Sequence, residues 1–212
     1  MILYGYWRSS CTWRVRIALA SKGLSYRNEP VHLVREGGEQ HQAAHLLRNP
    51  MAQVPVLELE DGQQLSQSMA ILEYLEERYP SPALLPADPV ARARCRQLAE
   101  MVNAGVQPLQ NLAVLQHVGR EGLDTKAWAR HYMNRGLDAL ERATAEDNSR
   151  FLVGDGPSFA ELCLIPQLYN ARRFDCALHR WPRLLEVEAA ASALPAFLVS
   201  HPDKQPDAAL VA

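Results

Sequence analysis

Residues 6–16 read Tyr-Trp-Arg-Ser-Ser-Cys-Thr-Trp-Arg-Val-Arg, with two hydroxyls and a thiol side by side and Arg8, Arg14 and Arg16 around them. These residue types suit nucleophile chemistry in two ways. Cys11 could itself attack. Alternatively, Ser9, Ser10 and Cys11 lie in a loop just ahead of a helix from about residue 12 and stabilise an anion there. The unsatisfied first-turn N–H groups and the helix dipole favour negative charge at such an end, and a thiol placed there loses its proton more readily. A Ser10 or Cys11 that merely caps the helix would leave the same pattern. Two dipeptides raise a similar choice. Val54-Pro55 precedes a hairpin and could be no more than an edge-strand proline. Gln67-Ser68 opens a helical stretch, where Ser68 can serve as N-cap and the helix end can hold a carboxylate.

The elements that must position these groups fall into two sets. Apolar runs at 2–6 and 26–33 predict strands, and 12–21 predicts a helix that Gly23 ends. A helix over 38–47 stops at Asn49-Pro50. Strands over 54–60 and 63–66 flank Asp61-Gly62, a type I′ hairpin signal. Met69, Ile71, Leu72 and Leu75 give 68–78 a buried helical face. The order β-α-β-α-β-β-α describes a small α/β domain over 1–80. Prolines at 80, 82, 86 and 89 then make 81–87 a linker. From 88 to 212 the pattern is wholly helical, with stretches over 89–117, 124–147, 159–173 and 182–191. Ser158-Phe-Ala-Glu161 is a capping box for the third of these. Pro166 within that helix predicts a kink or a boundary. The tail from His201 reads as extended or mobile.

Composition narrows the functional classes. The chain has 212 residues, 22 basic against 24 acidic side chains, and a net charge of −2. This balance offers no electrostatic case for nucleic acid or an anionic membrane. No apolar run is long enough to span a bilayer, and the start lacks the pattern of a signal peptide. Cys11, Cys95, Cys163 and Cys176 show no paired spacing, which fits reduced thiols in the cytoplasm and no metal site.

Five blocks together resemble the zeta class of cytosolic glutathione transferases: SSCTWRVRIAL (9–19), NPMAQVP (49–55), QSMAILEYLE (67–76), NAGVQPLQNL (103–112) and NARRF (170–174). The resemblance covers nearly the whole chain. It implies a thioredoxin-like α/β domain followed by an all-α domain, a homodimer, and glutathione as cofactor. It also implies that the thiolate at the first helix belongs to glutathione, with Ser9 activating it and Ser10 and Cys11 as neighbours that tune or line the site. Val54 and cis Pro55 would present backbone groups to the tripeptide, and Gln67 and Ser68 would hold its γ-glutamyl end. Gln40, Gln107 and Asn111 match further glutathione contacts. Arg8 and Arg173 would bind the carboxylates of a small dicarboxylate substrate, since a guanidinium grips a carboxylate through two parallel hydrogen bonds. Arg14 and Arg16 are expected in ion pairing or packing.

The implied activity is glutathione-dependent cis–trans isomerisation of a maleyl keto-diacid, maleylpyruvate or maleylacetoacetate, in aromatic-compound catabolism. The alternatives are a general glutathione transferase for small electrophiles or α-haloacids, a glutaredoxin-type redox protein, and a noncatalytic interaction module. Cys11 lacks a CxxC partner, which weighs against the redox reading. Intact Ser9, Val54-Pro55, Gln67-Ser68 and Arg173 weigh against the last.

Overall fold

Leu3, Val56 and Leu57 are fully buried, and the strands that carry them form the middle of the only sheet among the described residues. The computed structural model describes residues 1–211. Its strands are β1 (Ile2–Gly5), β2 (Arg27–Pro30), β3 (Val56–Glu58) and β4 (Gln64–Ser66), in the order β2-β1-β3-β4. β1 runs parallel to β2 and antiparallel to β3, and β3 pairs antiparallel with β4. The polar Arg-Asn-Glu-Pro sequence of β2 suits its edge position, where a proline costs no ladder bond. This is the expected α/β domain with one antiparallel hairpin.

The helices are α1 (Ser10–Ser21), α2 (Ala43–Arg48), α3 (Ser68–Arg78), α4 (Pro89–Asn103), α5 (Leu112–Arg120), α6 (Thr125–Thr144), α7 (Phe159–Arg173), α8 (Pro182–Ser192) and α9 (Pro195–Ser200). The chain divides into two compact units, residues 1–83 together with the segment from Leu194 on, and Leu84–Ala193. In the first, α1 packs on both α3 and α9 and is buried on nearly every side. Lys22 at its end donates to Glu76 at 2.8 Å and to the carbonyls of Tyr79 and Pro82 at 2.7 and 3.0 Å. This buried cation ties α1, α3 and the proline-rich segment together. In the second unit α7 packs on α4 and α8, and Trp181, Phe151 and Phe159 are its largest fully buried apolar side chains.

Several boundaries differ from the sequence reading, each for a local reason. The stretch 38–47 is a 3-10 turn, Glu39–His41, followed by the short α2, because Gly38 takes φ 102. At Asp61-Gly62 only Gly62 adopts positive φ, so the hairpin turn is not type I′. The helix expected over 89–117 breaks between α4 and α5. A Cβ on Gly105 would fall 2.6 Å from the Met101 carbonyl, and Pro108 lies in the intervening 3-10 turn Gln107–Gln110. The capping box forms as expected, and α7 continues through Pro166. The tail departs furthest from its reading. Pro202–Lys204 and Pro206–Val211 are 3-10 turns rather than extended, and they follow α9, which packs on α1.

Candidate active site

The loop between β1 and α1 is set by close contacts. Gly5 is required where it stands, since a Cβ there would lie 2.3 Å from Thr12 Cγ2. The Ser9 N–H donates to the Tyr6 carbonyl at 3.0 Å, which turns the chain into the helix. Ser9 is the N-cap: its Oγ accepts from the Thr12 N–H at 3.2 Å and its carbonyl from the Trp13 N–H at 2.9 Å. The helix therefore starts earlier than the sequence suggested. Ser10 and Cys11 form its first two positions rather than the loop ahead of it. Their N–H groups have no acceptor among the described residues. Because Ser9 Oγ acts as acceptor toward the helix, its own proton is left to donate outward. One hydroxyl thus caps the helix and keeps a donor at the end where two N–H groups are open, and such an end favours an anion.

Arg8 is half-buried beside the Trp7 ring, at 5.1 Å from its centroid, and makes no ion pair among the described residues. Arg14 and Arg16 are wholly buried and structural. Arg14 donates to Ser68 Oγ at 3.1 Å, and Arg16 donates to the carbonyls of Trp7 and Ser200 at 2.7 and 3.2 Å. Burial pulls the Arg16 guanidinium down to about 10, opposed by Tyr26 and Asp207, so it remains a cation at neutral pH.

Two backbone features continue the site within the same unit. The Val54-Pro55 bond is cis, and the Val54 N–H and C=O carry no hydrogen bond among the described residues. The approach to them is fixed by two residues that the sequence reading passed over. Buried Asn49 donates to the Gln53 carbonyl at 2.8 Å and accepts from the Met51 N–H at 3.1 Å. The His45 ring nitrogen meets the same carbonyl at 3.0 Å. Asn49 had read as a helix stop and as part of the NPMAQVP block, with no contact assigned to it, because its partners lie in an irregular loop.

Gln67 occupies the N-cap position of α3 at φ 69, with no side-chain cap. A left-handed non-glycine residue costs on the order of 1 kcal/mol and tends to be held for a purpose. Ser68 is therefore not the cap, as its type had suggested, but the first helical residue, because the buried Arg14 engages its hydroxyl. Gln40 is buried, donates to the Leu33 carbonyl at 3.2 Å, and leaves its Oε1 buried without a partner. A buried acceptor in that state invites a donor from a ligand. Open Val54 groups, an unpartnered Gln40 oxygen, the exposed Gln67 amide and an anion-seeking helix end match the amides, carboxylates and thiol of glutathione.

The remaining expected residues belong to the second unit. Gln107 begins the 3-10 turn before α5, and Asn111 caps α5 by accepting from the Ala113 N–H at 3.1 Å. Buried Gln110 donates to Gln167 at 2.7 Å, tying this turn to α7. Arg173, in the last turn of α7, donates to Asn170 at 3.1 Å and lies 5.8 Å from the Phe174 ring. Its neighbour Arg172 is bound by both nitrogens to Glu188, at 2.6 and 2.5 Å.

Known proteins resemble this chain over nearly its whole length. Residues 1–77 match the glutathione S-transferase N-terminal domain. A curated maleylacetoacetate isomerase of Pseudomonas aeruginosa is 48% identical over 98% of this chain and 98% of its own. A crystal structure of maleylacetoacetate isomerase from Anaeromyxobacter dehalogenans, with bound dicarboxyethyl glutathione and citrate in the active site, is 53% identical. It superposes with TM-score 0.88 over 97% of this chain and 96% of that one. The holo structure of maleyl pyruvate isomerase, described as a bacterial glutathione S-transferase in the zeta class, is 41% identical. It superposes with TM-score 0.93 over 98% and 99% of the two chains.

Proposed function

The chain belongs to the zeta-class glutathione transferases, the family of the maleylacetoacetate and maleylpyruvate isomerases, and we propose that it isomerises a maleyl keto-diacid to its fumaryl form with glutathione as cofactor. Bound glutathione supplies the sulfur that adds to the cis double bond, leaves a rotatable single bond for that interval, and departs unchanged. No net oxidation, reduction or proton transfer to solvent is required. The chain's own residues make the step possible.

Ser9 and the Ser10 and Cys11 N–H groups hold the sulfur as an anion. Val54, Pro55, Gln67, Ser68 and Gln40 hold the tripeptide, with Gln107 and Asn111 adding contacts from the helical unit. Arg8 and Arg173 align the two carboxylates and take up the negative charge that forms on the keto-diacid as the sulfur adds. Cys11 tunes or lines this site without attacking. In this reading residues 1–80 bind glutathione and the helical part after the linker 81–87 selects the diacid through residues near 103–117 and 170–176, while the segment from Leu194 on packs with the first unit.

The observation that carries this reading is Ser9, which caps α1 while keeping its proton for the ligand. The dicarboxyethyl glutathione held by the Anaeromyxobacter relative supports it, since a thiol joined to a four-carbon diacid is the product type of sulfur addition to a maleyl or fumaryl double bond. A cytoplasmic homodimer belongs to the same proposal. Four free thiols fit a reducing compartment, and no helix among the described residues is long and apolar enough to cross a membrane. The test is spectrophotometric isomerisation of maleylpyruvate and maleylacetoacetate with and without added glutathione. Turnover of at least one of them that depends on glutathione is expected, and full activity without any thiol would overturn the mechanism.

A further inference from the structure

The residue just before Arg8 and Ser9 is held from both sides by buried charge. The Trp7 N–H donates to Asp207 Oδ2 at 2.8 Å, and the Trp7 carbonyl accepts from Arg16 Nη2 at 2.7 Å. An anion thus meets the N–H and a cation meets the C=O, the pairing that strengthens both hydrogen bonds. The two peptide groups flanking Trp7 are fixed, and Arg8 and Ser9 follow directly.

Asp207 reaches this place on a tail that is itself anchored. Trp13 Nε1 donates to Ser200 Oγ at 3.1 Å, Arg16 Nε donates to the Ser200 carbonyl at 3.2 Å, and the Trp13 and His201 rings meet edge-on at 5.2 Å. Gln205 donates to the Val199 and His201 carbonyls at 3.3 and 2.9 Å and closes the turn.

Packing alone does not account for Asp207. It is 5% exposed, and its Oδ1 is buried without a hydrogen-bond partner. A carboxylate in that position carries a desolvation cost that an apolar residue of similar size would avoid. What the charge contributes is a fixed acceptor for the Trp7 N–H, balanced by Arg16, with Tyr26 as the other ionisable group near both.

We propose that Asp207 is a positioning residue for the reaction: with Arg16 it clamps the Trp7 backbone and thereby sets where Arg8 and Ser9 stand. The proposal rests on the isomerase reading given above. The glutathione anchors at Val54, Gln67 and Gln40 lie outside the clamp. Releasing it therefore loosens the reacting end of the site and spares the peptide end.

The test is steady-state kinetics of the full chain, with melting temperatures measured in parallel. Asp207→Ala lowers kcat about tenfold or more and raises the KM for the diacid, while the KM for glutathione stays within about twofold. Asp207→Asn keeps an acceptor oxygen of the same reach and recovers to within about threefold of the parent. Asp207→Ser is too short to span to Trp7 and serves as the second loss variant should Asp207→Ala fold poorly. Val187→Ala opens a cavity in α8 of the other unit, away from the clamp and its tail, so it lowers the melting temperature and leaves kcat unchanged. Parent-like kcat in both loss variants would overturn the proposal. So would equal losses in Val187→Ala at the same melting temperature, or a glutathione KM that rises with the diacid KM. If the parent turns over neither diacid, the isomerase reading falls. The same variants compared in glutathione conjugation to a chloronitrobenzene then judge the clamp by the same criteria.

Discussion

The residues proposed for the site differ between the two units in the physical means they offer. In the first, much of the site is backbone: open N–H groups at the start of α1, the unpaired peptide groups of Val54, and the left-handed turn at Gln67. In the second it is side chains alone, Gln107 and Asn111 around a 3-10 turn and Arg173 at the end of α7. Backbone groups recognise what every glutathione shares. Side chains on helices can be exchanged without disturbing a sheet or a turn, so they are where a preference for one diacid over another can reside.

The largest expected effect tests the first half of this contrast. Ser9→Ala removes the donor aimed at the sulfur, and loss of one such donor typically lowers turnover by about 10²–10³-fold. The cap it forms on α1 is worth about 1 kcal/mol, so the protein should stay folded by circular dichroism while activity falls. A variant that keeps near-parental turnover would remove Ser9 from the mechanism.

Arg173→Lys tests the second half. A lysine keeps the charge but loses the paired hydrogen bonds, which predicts a rise of roughly tenfold in KM for the diacid and an unchanged KM for glutathione. If instead the glutathione KM moves, the division of labour between the units is wrong. The smallest effect is reserved for Cys11→Ala. A residue that lines the site without attacking should cost less than about threefold in kcat, and complete loss of activity would restore Cys11 as a nucleophile.

What could be read in the sequence was what depends on near neighbours. The Ser158–Glu161 capping box is complete within four residues, and it forms as written. The apolar spacing of α3 and the run of β1 were equally local. The misreadings have a common cause. Ser68 looks like a cap until Arg14, 54 positions earlier, engages its hydroxyl. The tail looks mobile until Asp207 meets Trp7, 200 positions away. Of the proposed site, Ser9 and Val54-Pro55 were visible through family motifs; Asn49 stood in a motif with no role assigned to it, and His45 stood in none. Their importance lies in a loop carbonyl, that of Gln53, whose direction no residue type announces.

The return of α9 to α1 has a consequence for biosynthesis. The first unit joins residues 1–83 to the segment from Leu194 on, so its assembly cannot be complete before that later segment has left the ribosome. Until residues 194–207 have emerged, the Trp13 indole and the Arg16 guanidinium lack partners that the finished unit gives them. The helical unit, by contrast, lies on one unbroken stretch of chain and can close first. The loop around Trp7 is therefore among the last parts of its unit to gain its full set of hydrogen bonds.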